Sequence, residues 1–142
     1  MAIDIRGLAP LIQVFDMPTA IRFYRDLLGF KVVGTSPKLS ENADDVNWSM
    51  LSLNGVTVML NTAYEPEDRP AIPEPGRFGG HDDTGLYFGC PDVDVAYRYL
   101  TERGLALKPP VVTHYGMKQL NFKDPDGYHI CLQWEAESAV EA

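Results

Sequence analysis

The chain has 142 residues, 45% of them hydrophobic, which is the length and apolar content of one ordinary domain with a real core. Its net charge of −8 argues against a nucleic-acid backbone or an anionic membrane as partner, and favours a neutral or cationic ligand. The opening Met1-Ala-Ile-Asp-Ile-Arg6 lacks the basic and apolar regions of a signal peptide, no apolar run reaches the ~20 residues of a membrane span, and Cys90 and Cys131 are too few for a disulfide framework, so a cytoplasmic protein with two reduced thiols is expected.

In chain order, Leu8 to Phe15 is an apolar run suited to a buried strand. Asp16 then offers an N-cap, Pro18 sits in the first turn, Ile21, Tyr24, Leu27 and Leu28 recur at helical spacing, and Gly29 supplies a C′ stop. Phe30 to Val33 resumes a strand, and the polar stretch 34–45 reads as a loop or a ragged hairpin. Trp48 to Leu53 and Val56 to Asn61 flank Asn54-Gly55, a pair that favours a tight hairpin turn. Residues 61–82 crowd proline, glycine and acidic side chains together and read as an exposed connection able to act as a lid.

The pattern then returns. Leu86 to Cys90 is a strand, Asp92 an N-cap, Val95, Tyr99 and Leu100 the buried helical face, Gly104 the stop, and 105–112 at best an edge strand because of Pro109-Pro110. A second hairpin, Gln119 to Trp134, turns at Asp124-Pro-Asp-Gly127. The two halves align in register: Asp16 and Asp92, Ala20 and Ala96, and Arg22 and Arg98 are each 76 residues apart, whereas Gly29 and Gly104 are 75 apart. The sequence predicts one βαβββ unit written twice, a first module over 5–62, a linker over 63–82 and a second module over 83–136, two marginal halves completing one single domain.

On Asp16-Met-Pro-Thr-Ala-Ile-Arg-Phe-Tyr-Arg-Asp-Leu-Leu-Gly-Phe30 and Phe122-Lys-Asp-Pro-Asp-Gly-Tyr-His-Ile-Cys-Leu132, with Asp92 to Gly104 between them, the chain resembles the vicinal oxygen chelate superfamily of glyoxalases, extradiol dioxygenases and bleomycin-resistance proteins. The resemblance implies an α+β fold in which two βαβββ modules form a cup-shaped, partly open mixed β-sheet barrel with the helices outside, usually as a homodimer. In metal-using relatives one side chain from the first and last strand of each module points into the cup. Carried over residue by residue, those positions fall on Ala9, Met59, Gly85 and Cys131. Alanine and glycine have no side-chain donor and a thioether is a poor ligand for a hard divalent ion, so no metal and no other cofactor is expected. His129, Cys131 and His114 are the remaining donors from which a non-standard site would have to be built.

Strand alternation turns Leu11, Gln13, Met59, Asn61, Tyr87, His129, Cys131 and Gln133 toward the cup, joined by Met117, Gln119 and Asn121 if Leu120 and Phe122 pack under the helices. Trp48, Tyr115 and Tyr128 are placed at the rim, and Lys118 or Lys123 is the only cation with a route inward. The ligand-binding set expected is Gln13, Trp48, Met59, Tyr87, Tyr115, Gln119, His129 and Cys131. Soft apolar surface studded with amides suits a drug-sized organic molecule. Two functions follow. One is a metal-free, bleomycin-resistance-like protein binding a small organic ligand, cationic or aromatic, at a dimer groove. The other is a glyoxalase-type lyase, isomerase or dioxygenase with a non-standard metal site, or a metal-free one using His129 or Tyr115 as acid/base.

Overall fold

Local rules build the first unit of the computed structural model, which describes residues 2–137 of the chain. Strand β1 (Leu11–Val14) ends at Asp16, whose carboxylate accepts from the Thr19 amide and hydroxyl and so caps helix α1 (Met17–Ile21). The helix runs on as a π-helical turn through Arg22–Leu27 before Gly29, at φ +91°, reverses the chain. Strand β2 (Lys31–Thr35) follows, then β3 (Trp48–Leu53) and β4 (Val56–Thr62), joined by Asn54 and Gly55 at φ +51° and +83°. Both central residues of that turn are left-handed, the geometry that matches strand twist in a two-residue hairpin.

The sheet order is β1-β4-β3-β2, with β1 parallel to β4 and the other pairs antiparallel. One face is buried: Ile12, Val14, Leu51, Val58 and Leu60 meet Met17, Ala20, Ile21 and Tyr24. Arg25 makes a two-pronged pair with Asp44 at 2.9 and 3.0 Å while also bonding Asp26. That pair ties the 36–47 loop to the helix.

The second unit repeats the plan as β5 (Gly85–Gly89), α3 (Val93–Glu102), β6 (Val111–Val112), β7 (Met117–Lys123) and β8 (His129–Glu135), in the order β5-β8-β7-β6. Asp92 caps α3 through the Val95 amide, and Leu120, Phe122 and Ile130 form the buried sheet face on which α3 packs. The helix face differs from the sequence expectation. Val93, Ala96, Tyr97 and Leu100 turn inward, whereas Val95 and Tyr99 are 48% and 39% exposed. The inward four are the residues 76 positions after Met17, Ala20, Ile21 and Tyr24, so the repeat predicts the face better than counting apolar residues does.

The connection is only partly irregular. Pro66–Asp68 and His81–Asp83 form single 3-10 turns, and α2 (Pro75–Phe78) is one short helical turn. Chain contacts separate two compact units between Pro73 and Glu74, inside the stretch expected as linker. No helix among the described residues is long and apolar enough to cross a membrane.

Candidate functional site

Within the second unit, pairing across β5, β8 and β7 fixes which side chains share the face opposite α3. Tyr87 stands beside Cys131, Cys131 beside Asn121, Gly85 beside His129, and Gln119 beside Gln133. Since Leu120 and Phe122 are buried against the helix, Gln119 and Asn121 belong to the opposite face, as alternation requires.

Two hydrogen-bonded clusters organise this face. The Gln119 amide nitrogen donates to Tyr115 Oη at 3.1 Å and to Gln133 Oε1 at 2.9 Å, so both of its N–H groups are used. Tyr115 is exposed, at a turn that Gly116 (φ +87°) and the Thr113 hydroxyl close. In the second cluster His129 Nε2 lies 2.8 Å from Asn121 Oδ1. A carbonyl oxygen can only accept, so Nε2 carries a proton and donates it to this bond. The Tyr87 ring meets the His129 ring edge-on, centroids 5.5 Å apart.

Cys131 is fully buried, and that burial pushes its thiol pKa up. A nucleophilic cysteine needs the opposite shift, so the thiol is a small buried hydrophobe rather than a reactive group. Cys90 is raised by burial as well.

The first unit offers a softer face. Gln13 pairs with Asn61 across the β1–β4 ladder, and the Asn61 amide nitrogen donates to Gln13 Oε1 at 3.2 Å. Leu11 and Met50 flank Met59 on either side, and Trp48 stands opposite Asn61. The Leu11–Met59 and Tyr87–Cys131 pairings are equivalent, which places Met59 and Cys131 at matching positions in the two units. Of the eight expected ligand-binding residues, Gln13, Trp48 and Met59 lie in the first unit and the other five in the second.

Several residues fall elsewhere than expected. Lys118 lies on the helix side, paired with Asp94 of α3, and only Lys123 shares the face with His129. Tyr128 is not at a rim. It is nearly buried and stacks on His81 at 4.1 Å between centroids, while His81 Nδ1 donates to the Asp126 carbonyl at 2.7 Å. Trp134, on the same strand parity as the buried Ile130, is nevertheless 47% exposed. His81 acquires a role that the sequence did not reveal, because its partners Asp126 and Tyr128 are distant in the chain, whereas the Asn121–His129 bond depends on the register of the β7–β8 hairpin.

The donor set does not fit the divalent metal that metal-using relatives of this fold hold. In the first unit Ala9 offers no donor and Met59 only a thioether. In the second, Gly85 offers none, and a Cβ built there would stand 2.8 Å from Tyr87 Cε1 and 3.4 Å from His129 Nδ1. Cys131 would have to ionise to ligate, against the direction of its pKa shift. His81 is engaged with Asp126 and Tyr128, and His114 is exposed beside Tyr115. Among the described residues no group of three or more His, Cys, Asp or Glu side chains is placed to hold an ion.

A family model described as Glyoxalase/Bleomycin resistance protein/Dioxygenase superfamily matches residues 8–132. No curated protein sequence matches the chain. Among solved structures it is similar to TnmS3, an antibiotic binding protein from Streptomyces sp. CB03234, at 25% identity and a TM-score of 0.67, covering 95% of this chain and 100% of that one. It is similar also to a glyoxalase/bleomycin resistance protein/dioxygenase from Nocardioides (16% identity, TM-score 0.69, 97% and 89% covered). A third relative comes from the mobile metagenome of V. pseudocholerae (21% identity, TM-score 0.64, 94% and 97% covered). The last two likenesses speak for the fold alone.

Proposed function

The chain belongs to the glyoxalase/bleomycin resistance protein/dioxygenase superfamily, and from that premise we propose that it binds a small organic ligand, aromatic and neutral or cationic, without a resident divalent metal. The observation that carries this reading is the open face of the second unit. There the Tyr87 and His129 rings stand beside a Gln119–Tyr115–Gln133 network, while the positions that would supply metal donors hold glycine and a buried neutral thiol. Aromatic edges and fixed amide dipoles suit a flat polar molecule: the rings supply contact area and the amides set orientation. Met59, Trp48 and Gln13 provide the corresponding softer surface in the first unit. The net charge of −8 favours a cationic ligand over an anionic one at this face. TnmS3 is an antibiotic binding protein, which supports the same class of ligand here. The working form in this proposal is a homodimer in the cytoplasm.

A thermal-shift screen of chelator-treated protein against glycopeptide and aromatic antibiotics tests the reading. A ligand at about 100 times its Kd adds roughly 2.7 kcal/mol to the native state, and the expected result is such stabilisation in the absence of metal. Stabilisation only after Mn²⁺, Ni²⁺ or Zn²⁺ is added, or one tightly held ion per purified chain, would overturn it. Sedimentation at micromolar concentration tests the dimer, and a clean monomer mass would remove that part of the proposal.

A further inference from the structure

A second recess lies in the second unit, away from the amide network. It is a cleft of about 470 Å³ between the stretch 105–108 and the outer edge of β7, and it reaches His129. Its origin is chemical. The β6–β7 ladder pairs Val112 with Lys118 and Val111 with Gln119. Continuing it would set Pro110 and Pro109 opposite Leu120 and Asn121, and proline has no N–H to donate. The ladder therefore stops after two residues, and 105–108 runs beside β7 without joining it.

The lining is apolar with a cationic margin. Leu105, Leu107 and Phe122 supply apolar wall, and Lys108, Lys123, Asn121 and His129 line it as well. Lys108 makes no ion pair among the described residues. Lys123 approaches only Asp82, at 3.8 Å, with its side chain 63% exposed. Two under-neutralised ammonium groups on one apolar cleft run against the charge of a chain at net −8.

We propose that this cleft is a distinct binding site for an organic monoanion, a carboxylate on an aromatic or aliphatic body. The carboxylate sits between the Lys108 and Lys123 ammonium groups, and the body lies against Leu105, Leu107 and Phe122. A phosphate ester fits less well, because no arginine fork lines the cleft. The site goes beyond the ligand proposed for the sheet face, which is neutral or cationic and rests on Tyr87 and the Gln119–Tyr115–Gln133 network; the cleft meets that face at Asn121, Lys123 and His129.

The test is a titration of the whole chain with 2-naphthoate, followed by calorimetry and by amide chemical shifts, with 2-naphthamide and 2-naphthylmethylammonium as neutral and cationic controls. Two partly desolvated ion pairs make roughly a tenfold difference, so naphthoate should bind about tenfold more tightly than the amide. Its shifts should centre on Leu105–Lys108 and Phe122–Lys123. The double variant Lys108→Gln/Lys123→Gln should lose that preference, and Lys108→Glu should move it toward the ammonium probe. Both lysines are exposed, so circular dichroism should show the variants folded. Equal affinity for the three probes, shifts centred on Tyr87 and Gln133, or an undiminished naphthoate preference in the double variant would each overturn the proposal. Shifts centred on Tyr87 and Gln133 would put the probe at the sheet face instead, whereas the other two outcomes leave metal-free binding there untouched.

Discussion

Gly85 and Tyr87 exclude one another: a Cβ at residue 85 would stand 2.8 Å from Tyr87 Cε1, closer than real side chains approach. They lie two residues apart on β5 and so project from the same face, where the Tyr87 ring takes the space a side chain at 85 would need. The position onto which the resemblance carries a metal ligand is here given over to an aromatic contact with His129.

Gly85→Ala should therefore push the Tyr87 ring off His129. An edge-on pair contributes about 0.5–1.5 kcal/mol, and because Tyr87 is an exposed residue free to turn outward, the stability loss should stay near or below ~1 kcal/mol by urea unfolding. Binding of an aromatic ligand found in the antibiotic screen should weaken by a larger factor than stability alone accounts for. The same variant with histidine, Gly85→His, should still bind no stoichiometric metal. One ion per chain, measured by elemental analysis, would contradict the donor-set argument.

His81 should behave as a structural histidine. Its ring lies between Phe78 and Tyr128, 4.7 and 4.1 Å away by centroids, and its Nδ1–H holds the Asp126 carbonyl. His81→Ala removes a hydrogen bond and a stacked pair together, at a cost of about 1–3 kcal/mol. His81→Phe keeps the stack and should recover part of it. Limited proteolysis near Pro75–Phe78 should accelerate in the alanine variant, and an unchanged digestion pattern with unchanged stability would refute the role.

The Asp16 cap should appear in the acid limb of stability. Partial burial works to raise this carboxyl pKa, but hydrogen bonds from Thr19 and the Arg69 guanidinium 3.0 Å away outweigh it, and the net shift is downward. A depressed carboxylate binds its proton less readily folded than unfolded. Its contribution is thus complete above the ordinary carboxylate range and disappears as pH falls through the folded-state value. Asp16→Asn retains an N-cap oxygen and should cost less at neutral pH than Asp16→Ala, which loses about 1 kcal/mol with the cap. Both variants should show a flatter loss of stability below the carboxylate range than the parent. An acid limb identical to the parent's would mean the carboxylate is not linked to folding.

The π-helical turn shows how much a spacing can carry. Asp16 to Gly29 is one residue longer than Asp92 to Gly104, which is why the repeat offset falls from 76 to 75. The extra residue is absorbed within Arg22–Leu27, where the Leu28 amide reaches back five residues to the Phe23 carbonyl. The surplus was visible in the sequence. Its conformation was not, since a longer loop would have produced the same count.

Caps at Asp16 and Asp92, the left-handed stops at Gly29 and Gly104, the Asn54-Gly55 turn and the in-out alternation of Ile12 through Leu60 were determined by the sequence itself. Each arises from interactions within about five residues, or from steric limits on a single φ angle. The repeat extends those local signals to the matching helix faces. Tertiary structure alone decided that His129 bonds Asn121, that Gln119 joins Tyr115 to Gln133, that Arg25 clamps Asp44 and that His81 stacks on Tyr128. These contacts depend on strand register and on where a connection comes to rest. Both are settled by closure of chain segments up to 47 residues apart, and no local propensity encodes them.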